Sequence, residues 1–293
     1  MTPMSLEELA DEISDGSLLA VPKDEGGVAM AATRALIRRG ARNLNLLCVP
    51  TSGLQADMLI GAGCVDRLEC GAVTLDEQGL APRFRAAAES GTIRIVDSTC
   101  PAIYAALQAA EKGSPFTSLR GVIGTDVANH REDWKIIDNP FSETNDPVLL
   151  IPAIRPDVAL FHARLADRQG NVWVGNKREV VIMAHAARRT YVTFEEWYDG
   201  DLAADARYAA GTIAALYING LSQAANGAWP SPSITALTTN ISPSTRKRPA
   251  VRKGLRAILP NTCCRKPPQS NDAIRHSLFR DGISDLPARP DDR

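Results

Sequence analysis

Where an apolar run at 93–96 gives way to an alanine-rich one, the chain reads Asp97-Ser98-Thr99-Cys100-Pro101. A carboxylate, two hydroxyls and a thiol stand in four successive positions. Pro101 suits the first turn of a helix, where its missing N–H is no loss. The free N–H groups of that helix start then face the end of the preceding strand, a setting that receives an anion or a developing oxyanion. Helix starts also activate thiols, so Cys100 has three readings: a nucleophile, a thiol lining a substrate, or a packed side chain. No histidine lies in a matching motif to serve a nucleophile. Gly26 and Gly27 make a turn after an apolar run. Arg120, ahead of Gly124-Thr125-Asp126, has the chemistry to pair with a substrate carboxylate or with an acid of its own chain. His162 and His185 sit in apolar segments and read as satisfied structural histidines. No metal site is expected, because there is no Cys-x-x-Cys and Cys263-Cys264 lack partners at ligand spacing.

The elements that must hold these groups alternate. Residues 18–21, 44–49, 65–70, 93–96 and 122–124 read as strands, and 28–39, 54–61, 82–90 and 101–112 as helices. Further strands are expected at 148–152, 158–161, 172–174, 180–184 and 191–194. Such alternation predicts one α/β domain, a mostly parallel sheet covered by helices on both faces. In that architecture, ligands enter at the carboxyl ends of the strands, where the loop 97–100 falls. Cys48, Cys64 and Cys70 are read as small core residues.

With 293 residues and 44% hydrophobic content, the chain can bury one large core or two modest ones. A net charge of −1 argues against a nucleic-acid partner. The acidic start carries no signal peptide, and no apolar run approaches the roughly 20 residues that span a bilayer. A soluble, cytoplasmic protein without membrane contact is expected. From about Ser231 the composition breaks. Residues 1–230 carry a charge of −8, whereas 231–293 carry +7, with 8 prolines and no glutamate. The two stretches are therefore read as a domain at 1–230 and a basic, proline-rich tail at 231–293. The tail is either disordered or the product of a frameshift. Reading its codons out of frame allows a capped, acidic, alanine-rich helix start, which would mean that the final helix of the fold has been lost.

The turn Ala166-Asp167-Arg168-Gln169-Gly170-Asn171, between the apolar runs 158–161 and 172–174, reads as a hairpin turn. Its literal string, with Pro152-Ala-Ile-Arg-Pro-Asp-Val-Ala-Leu160 before it, resembles the signature of family I coenzyme A transferases. The resemblance extends through Asp24-Glu25-Gly26-Gly27, Ile60-Gly-Ala-Gly-Cys64, Gly113-Ser-Pro115-Phe116 and Leu119-Arg120-Gly-Val-Ile-Gly124-Thr125-Asp126. These stand in order over about three quarters of the chain. They are nearest the α-type subunit of the glutaconate branch.

The resemblance implies an enzyme subunit that moves coenzyme A between an acyl-CoA and a small carboxylic acid, with the CoA thioester as substrate and no permanently bound cofactor. In the family, a glutamate attacks the thioester, forming an acyl anhydride and then an enzyme glutamyl-CoA thioester. That glutamate lies in a Ser-Glu-Asn-Gly motif on a β-type partner, and this chain has none; nothing around Glu195-Glu196 matches it. A β-type subunit is therefore the expected partner. The α-type half is expected to supply the loop Asp97, Ser98, Thr99 and Cys100 to the acyl end. Gly26, Gly27, Arg120, Gly124 and Thr125 are further candidates for substrate or CoA contact. Arg188-Arg189 reads as a solvated helix end in preference to a CoA-phosphate site. Cys100 falls where ketoacid transferases have an oxyanion-hole glutamine and ring-opening hydrolases a glutamate; Asp97 falls where many relatives have Glu. A cysteine cannot replace a glutamate base, which counts against a hydrolase. Two alternatives stay open: a thioester hydrolase or ring-cleaving relative, and a decayed or frameshifted subunit without activity.

Overall fold

The computed structural model describes residues 1–231. The expected tail, with Cys263 and Cys264, lies outside the described residues beyond Ser231.

The strands are β1 (Leu18–Pro22), β2 (Leu44–Val49), β3 (Thr51–Ser52), β4 (Val65–Cys70), β5 (Ala72–Val73), β6 (Arg94–Asp97), β7 (Phe116–Leu119), β8 (Lys135–Asp138), β9 (Pro147–Pro152), β10 (Val158–Asp167), β11 (Val172–Trp173), β12 (Arg189–Tyr198), β13 (Thr212–Ile213) and β14 (Gly220–Gln223). The α-helices are α1 (Leu6–Asp11), α2 (Met30–Arg39), α3 (Leu54–Gly61), α4 (Pro82–Ser90), α5 (Cys100–Glu111), α6 (Asp126–Asn129) and α7 (Arg178–Ala186).

The main sheet runs β6-β4-β2-β1-β10-β12-β14, every pair parallel. Past β1, the far half of β10 turns back into β11, which pairs antiparallel with it and with β13. Alternation along the strands sorts side chains to two cores. Leu19, Val21, Leu46 and Leu160 meet α1 to α4 on one face. Ala20, Leu47, Ala159 and Phe161 meet α5 and α7 on the other. Both faces are covered, as a parallel sheet requires.

Several boundaries follow sequence punctuation. Helix α4 opens on Pro82 and stops at Gly91 in the left-handed region (φ 64), the asymmetry expected of proline and glycine. Helix α1, unforeseen, starts from Ser5 and Glu8, which exchange side-chain and backbone hydrogen bonds at 3.0 and 2.7 Å.

Two expectations fail. Residues 180–184 are helical, not a strand: Val180, Met183 and Ala184 are buried together against α5, and their three-to-four spacing outweighs the β-branched run. Residues 122–124 form a turn, with Gly124 at φ 80 and Thr125 Oγ1 donating to the Val122 carbonyl at 2.7 Å. Instead, β7, β9 and β8 build a separate antiparallel sheet, unforeseen except for β9. Leu149 and Ile151 of that sheet pack with Val122 and Trp134 on Ala102 and Ala106 of α5.

Candidate active-site crevice at the strand ends

The loop 97–100 leaves the carboxyl end of β6 and enters α5. Ser98 N donates to the Cys70 carbonyl at 3.1 Å, extending the β4–β6 ladder by one bond. Thr99 is the N-cap, and its Oγ1 accepts from Ala102 N at 3.3 Å. The cap leaves the Thr99 hydroxyl proton free to donate. The helix starts at Cys100, one residue earlier than expected, and the thiol is exposed. Gly71, just past β4, makes room for it: a Cβ there would lie 3.2 Å from Cys100 Sγ and 3.3 Å from the Pro50 carbonyl. The strand ends at Pro50, Gly71 and Asp97 thus converge on one place.

Helix α7 supplies a neighbour that the sequence did not reveal. His185 Nδ1, near its end, sits 2.9 Å from Glu111 Oε1 at the end of α5, and the two helices share a core. Counted back along both, this register sets Glu179 beside the Tyr104 turn. Burial, then the nearby Glu179 and Cys100, push the Tyr104 hydroxyl above its ordinary value. Glu179 has neither hydrogen bond nor ion pair among the described residues. Its Oε1 lies 3.5 Å from where a Gly26 Cβ would be. The only sequence cue was an acid in the first turn of a helix read as a strand.

Gly26 and Gly27 are buried in the turn after β1. Gly27 adopts φ 93, and its carbonyl accepts from His162 N at 2.6 Å. Beside these glycines, Asp24 accepts from Leu54 N at 3.0 and 3.1 Å at the start of α3. Burial and the acids Asp76 and Glu25 push the Asp24 carboxyl up to about 6. Asp24, Thr51, Ser52 and Asp76 border a cavity of about 200 Å³.

The other candidates are engaged elsewhere. Arg120 makes a two-pronged ion pair with Asp146, which also accepts from Asn139 at 2.7 Å. Those partners hold the Asp146 carboxyl down at about 2. Of the two readings of Arg120, the geometry supports the internal pair. Gly124 and Thr125 belong to the turn after β7. His162 is buried, with Nδ1 2.8 Å from Thr193 Oγ1 and Nε2 2.9 Å from Glu195 Oε1. Burial would raise the Glu195 carboxyl, but His162 and the N–H groups of Asn226 and Gly227 hold it below its ordinary value. Cys48 and Cys70 are packed in the core; burial raises both thiols, that of Cys70 to about 12. No group of acids, histidines and cysteines among the described residues fits a metal ion.

The signature turn is structural. Asp167 Oδ1 accepts from the N–H groups of Gln169, Gly170 and Asn171 at 3.0, 2.9 and 2.9 Å. Its Oδ2 accepts from Asn171 Nδ2 at 2.8 Å and Leu202 N at 3.0 Å. Gly170 takes φ 104, and Asn171 Oδ1 receives Ala215 N at 2.9 Å. One fully buried carboxylate thus joins the β10–β11 hairpin to the segment after β12.

The family model described as coenzyme A transferase matches residues 3–213. The chain belongs to the coenzyme A transferase family. It is 32% identical over 204 residues to the A subunit of the 3-oxoadipate CoA-transferase of Pseudomonas knackmussii, covering 67% of this chain and 70% of that protein. It is 31% identical to the A subunit of the glutaconate CoA-transferase of Acidaminococcus fermentans, covering 57% of each. The crystal structure of the latter enzyme superimposes with a TM-score of 0.71 at 26% identity, over 80% of this chain and 78% of that one. A cysteine-to-serine variant of the decarboxylase AibA/AibB superimposes with a TM-score of 0.69 at 30% identity, over 79% and 86%. This CoA-transferase chain therefore shares the mostly parallel sheet of its relatives.

Proposed function

We propose that the chain is the α-type subunit of a heteromeric CoA-transferase, moving CoA between an acyl-CoA and a free carboxylic acid. The observation that carries this reading is the exposed Cys100 thiol at the Thr99-capped start of α5, where the strand ends at Pro50, Gly71 and Asp97 meet. The similarity to the A subunits of two CoA-transferases supports it. The nucleophile belongs to the partner in this reading: its glutamate attacks the thioester carbonyl, and the C–S bond breaks to release CoA thiolate. The thiolate then attacks the glutamyl carbonyl of the anhydride, releasing the first acid and leaving glutamyl-CoA. The acceptor acid reverses the sequence. Each attack passes through a tetrahedral oxyanion, for which this reading uses the Thr99 hydroxyl and the Cys100 N–H as donors, since Ala102 N and Ile103 N are already bonded to Thr99. Asp97 and Ser98 set the approach of the loop, and the Cys100 thiol lines the acyl end.

The test is co-production with a β-type subunit bearing Ser-Glu-Asn-Gly. The complex should exchange CoA between acyl-CoA and free acids, while the chain alone should not. Mass spectrometry of the acyl-CoA-treated complex should find CoA thioester on the partner's glutamate and no acyl thioester on Cys100. Robust transfer by the single chain, or an acyl thioester on Cys100, overturns the reading. Hydrolysis without transfer to any acid would favour the hydrolase alternative.

A further inference from the structure

Arg131 lies between α6 and β8, far in sequence from the loop 97–100, and its side chain is 6% exposed. Nη1 donates to the Asp97 carbonyl at 3.1 Å and to Glu69 Oε1 at 3.0 Å. Nε and Nη2 donate to the two oxygens of Asp133, each at 2.8 Å. The guanidinium lies 4.4 Å from the Trp134 ring centroid, and the other oxygen of Glu69 accepts from Arg67 at 3.0 Å. Two cations and two carboxylates close into a neutral network, the condition under which a charge is tolerated in a protein interior. The uncharged group held with them is the main-chain carbonyl from which the loop departs.

That carbonyl has a particular position. Strand β6 ends the main sheet, pairing with β4 on one side only. The ladder ends at Cys70 and Asp97, followed by the bond from Ser98 N. Arg131 supplies a donor at the strand end from outside the main sheet. The geometry points to Arg131 as a positioning residue of the candidate active-site loop, fixing the direction in which Ser98, Thr99 and Cys100 leave β6. Glu69 and Asp133 orient the guanidinium in turn. This inference rests on the reading of the loop 97–100 as the acyl end of the transferase site. It also gives the segment after Gly124-Thr125-Asp126 a task, because that segment delivers Arg131. A lysine cannot take its place, since one ammonium does not reproduce a planar fork to three acceptors.

The test uses the assembled complex with its β-type partner, carrying Arg131→Lys, Arg131→Gln or, at the more exposed acid, Asp133→Asn. In both Arg131 variants kcat should fall about 10- to 100-fold, with KM for acyl-CoA within about twofold, as misplacement of a transition-state contact requires. Asp133→Asn should cost about threefold in kcat by loosening the guanidinium. In Arg131→Ala, added guanidinium ion should restore part of kcat where equal ammonium does not. A purely structural role predicts fewer assembled complexes with unchanged kcat in each, and that result overturns the inference. Should the Arg131 variants fail to assemble, an unchanged kcat in Asp133→Asn overturns it. The variant Thr99→Val with Cys100→Leu separates the two claims. If it slows turnover while the Arg131 variants do not, the inference fails and the loop reading stands. If neither has an effect, the loop reading itself fails.

Discussion

At the scale of single residues, Thr99 and Cys100 carry the proposed chemistry and Asp24 carries a pH response. Thr99 caps α5 through its oxygen and keeps its proton for a ligand. Replacing Thr99 with Val and Cys100 with Leu removes that donor, and kcat of the complex should fall on the order of 10²-fold. The decrease would appear in steady-state kinetics with the complex intact. Asp24 titrates near 6 in the folded chain, above its ordinary value of 3.8. The folded state therefore binds the proton more tightly than the unfolded one. The stabilisation is fully present below about pH 4 and is lost as pH rises through about 6. After allowance for partial exposure, it amounts to on the order of 2 kcal/mol. Urea titrations between pH 4 and 7 should show this slope in the wild type and a flatter one in Asp24→Asn. Equal slopes would exclude Asp24 as its source. The candidate loop 97–100 could be singled out because a carboxylate, two hydroxyls and a thiol precede a proline. Glu179 and Arg131 were not, because nothing local distinguishes an acid near an unrecognised helix or an arginine that reaches back 34 residues to Asp97.

At the scale of elements, punctuation and period decided what could be read. Helices α3 and α4 and strands β2 and β4 have the bounds that glycine, proline and apolar spacing predict. Helix α7 was misread because Val180, Val181 and Ile182 suit a strand locally, and only the neighbouring α5 decides otherwise. The small β7-β9-β8 sheet was hidden by long-range pairing: Phe116 meets Pro152, and Lys135 meets Leu150. The β10–β11 turn was recognised by its string, but its cause is the buried Asp167. Asp167→Ala would remove an acceptor from five donors, of which Gly170 N keeps the main-chain carbonyl of residue 167 and Asn171 Nδ2 keeps Asp201, leaving three without a partner. With about 1 kcal/mol or more for each group left unsatisfied, it should destabilise the chain by roughly 3 kcal/mol or more. A melting temperature within a degree of wild type would contradict that account.

At the scale of the whole chain, the parallel sheet was legible because β1 and β2 are short apolar runs separated by a helical period, although β4 carries Asp66, Arg67 and Glu69. No helix among the described residues is long and apolar enough to cross a membrane. The hairpin capped by Asp167 has one further consequence, for descent. Its string is the most recognisable in the chain, yet every bond Asp167 makes serves folding. A lineage that stopped transferring CoA would preserve Asp167, Gly170 and Asn171 for as long as it folded, while Thr99 and Cys100 were free to drift. The signature therefore marks ancestry, and in the proposed reading it is the loop at the start of α5 that marks whether the ancestral trade is still practised.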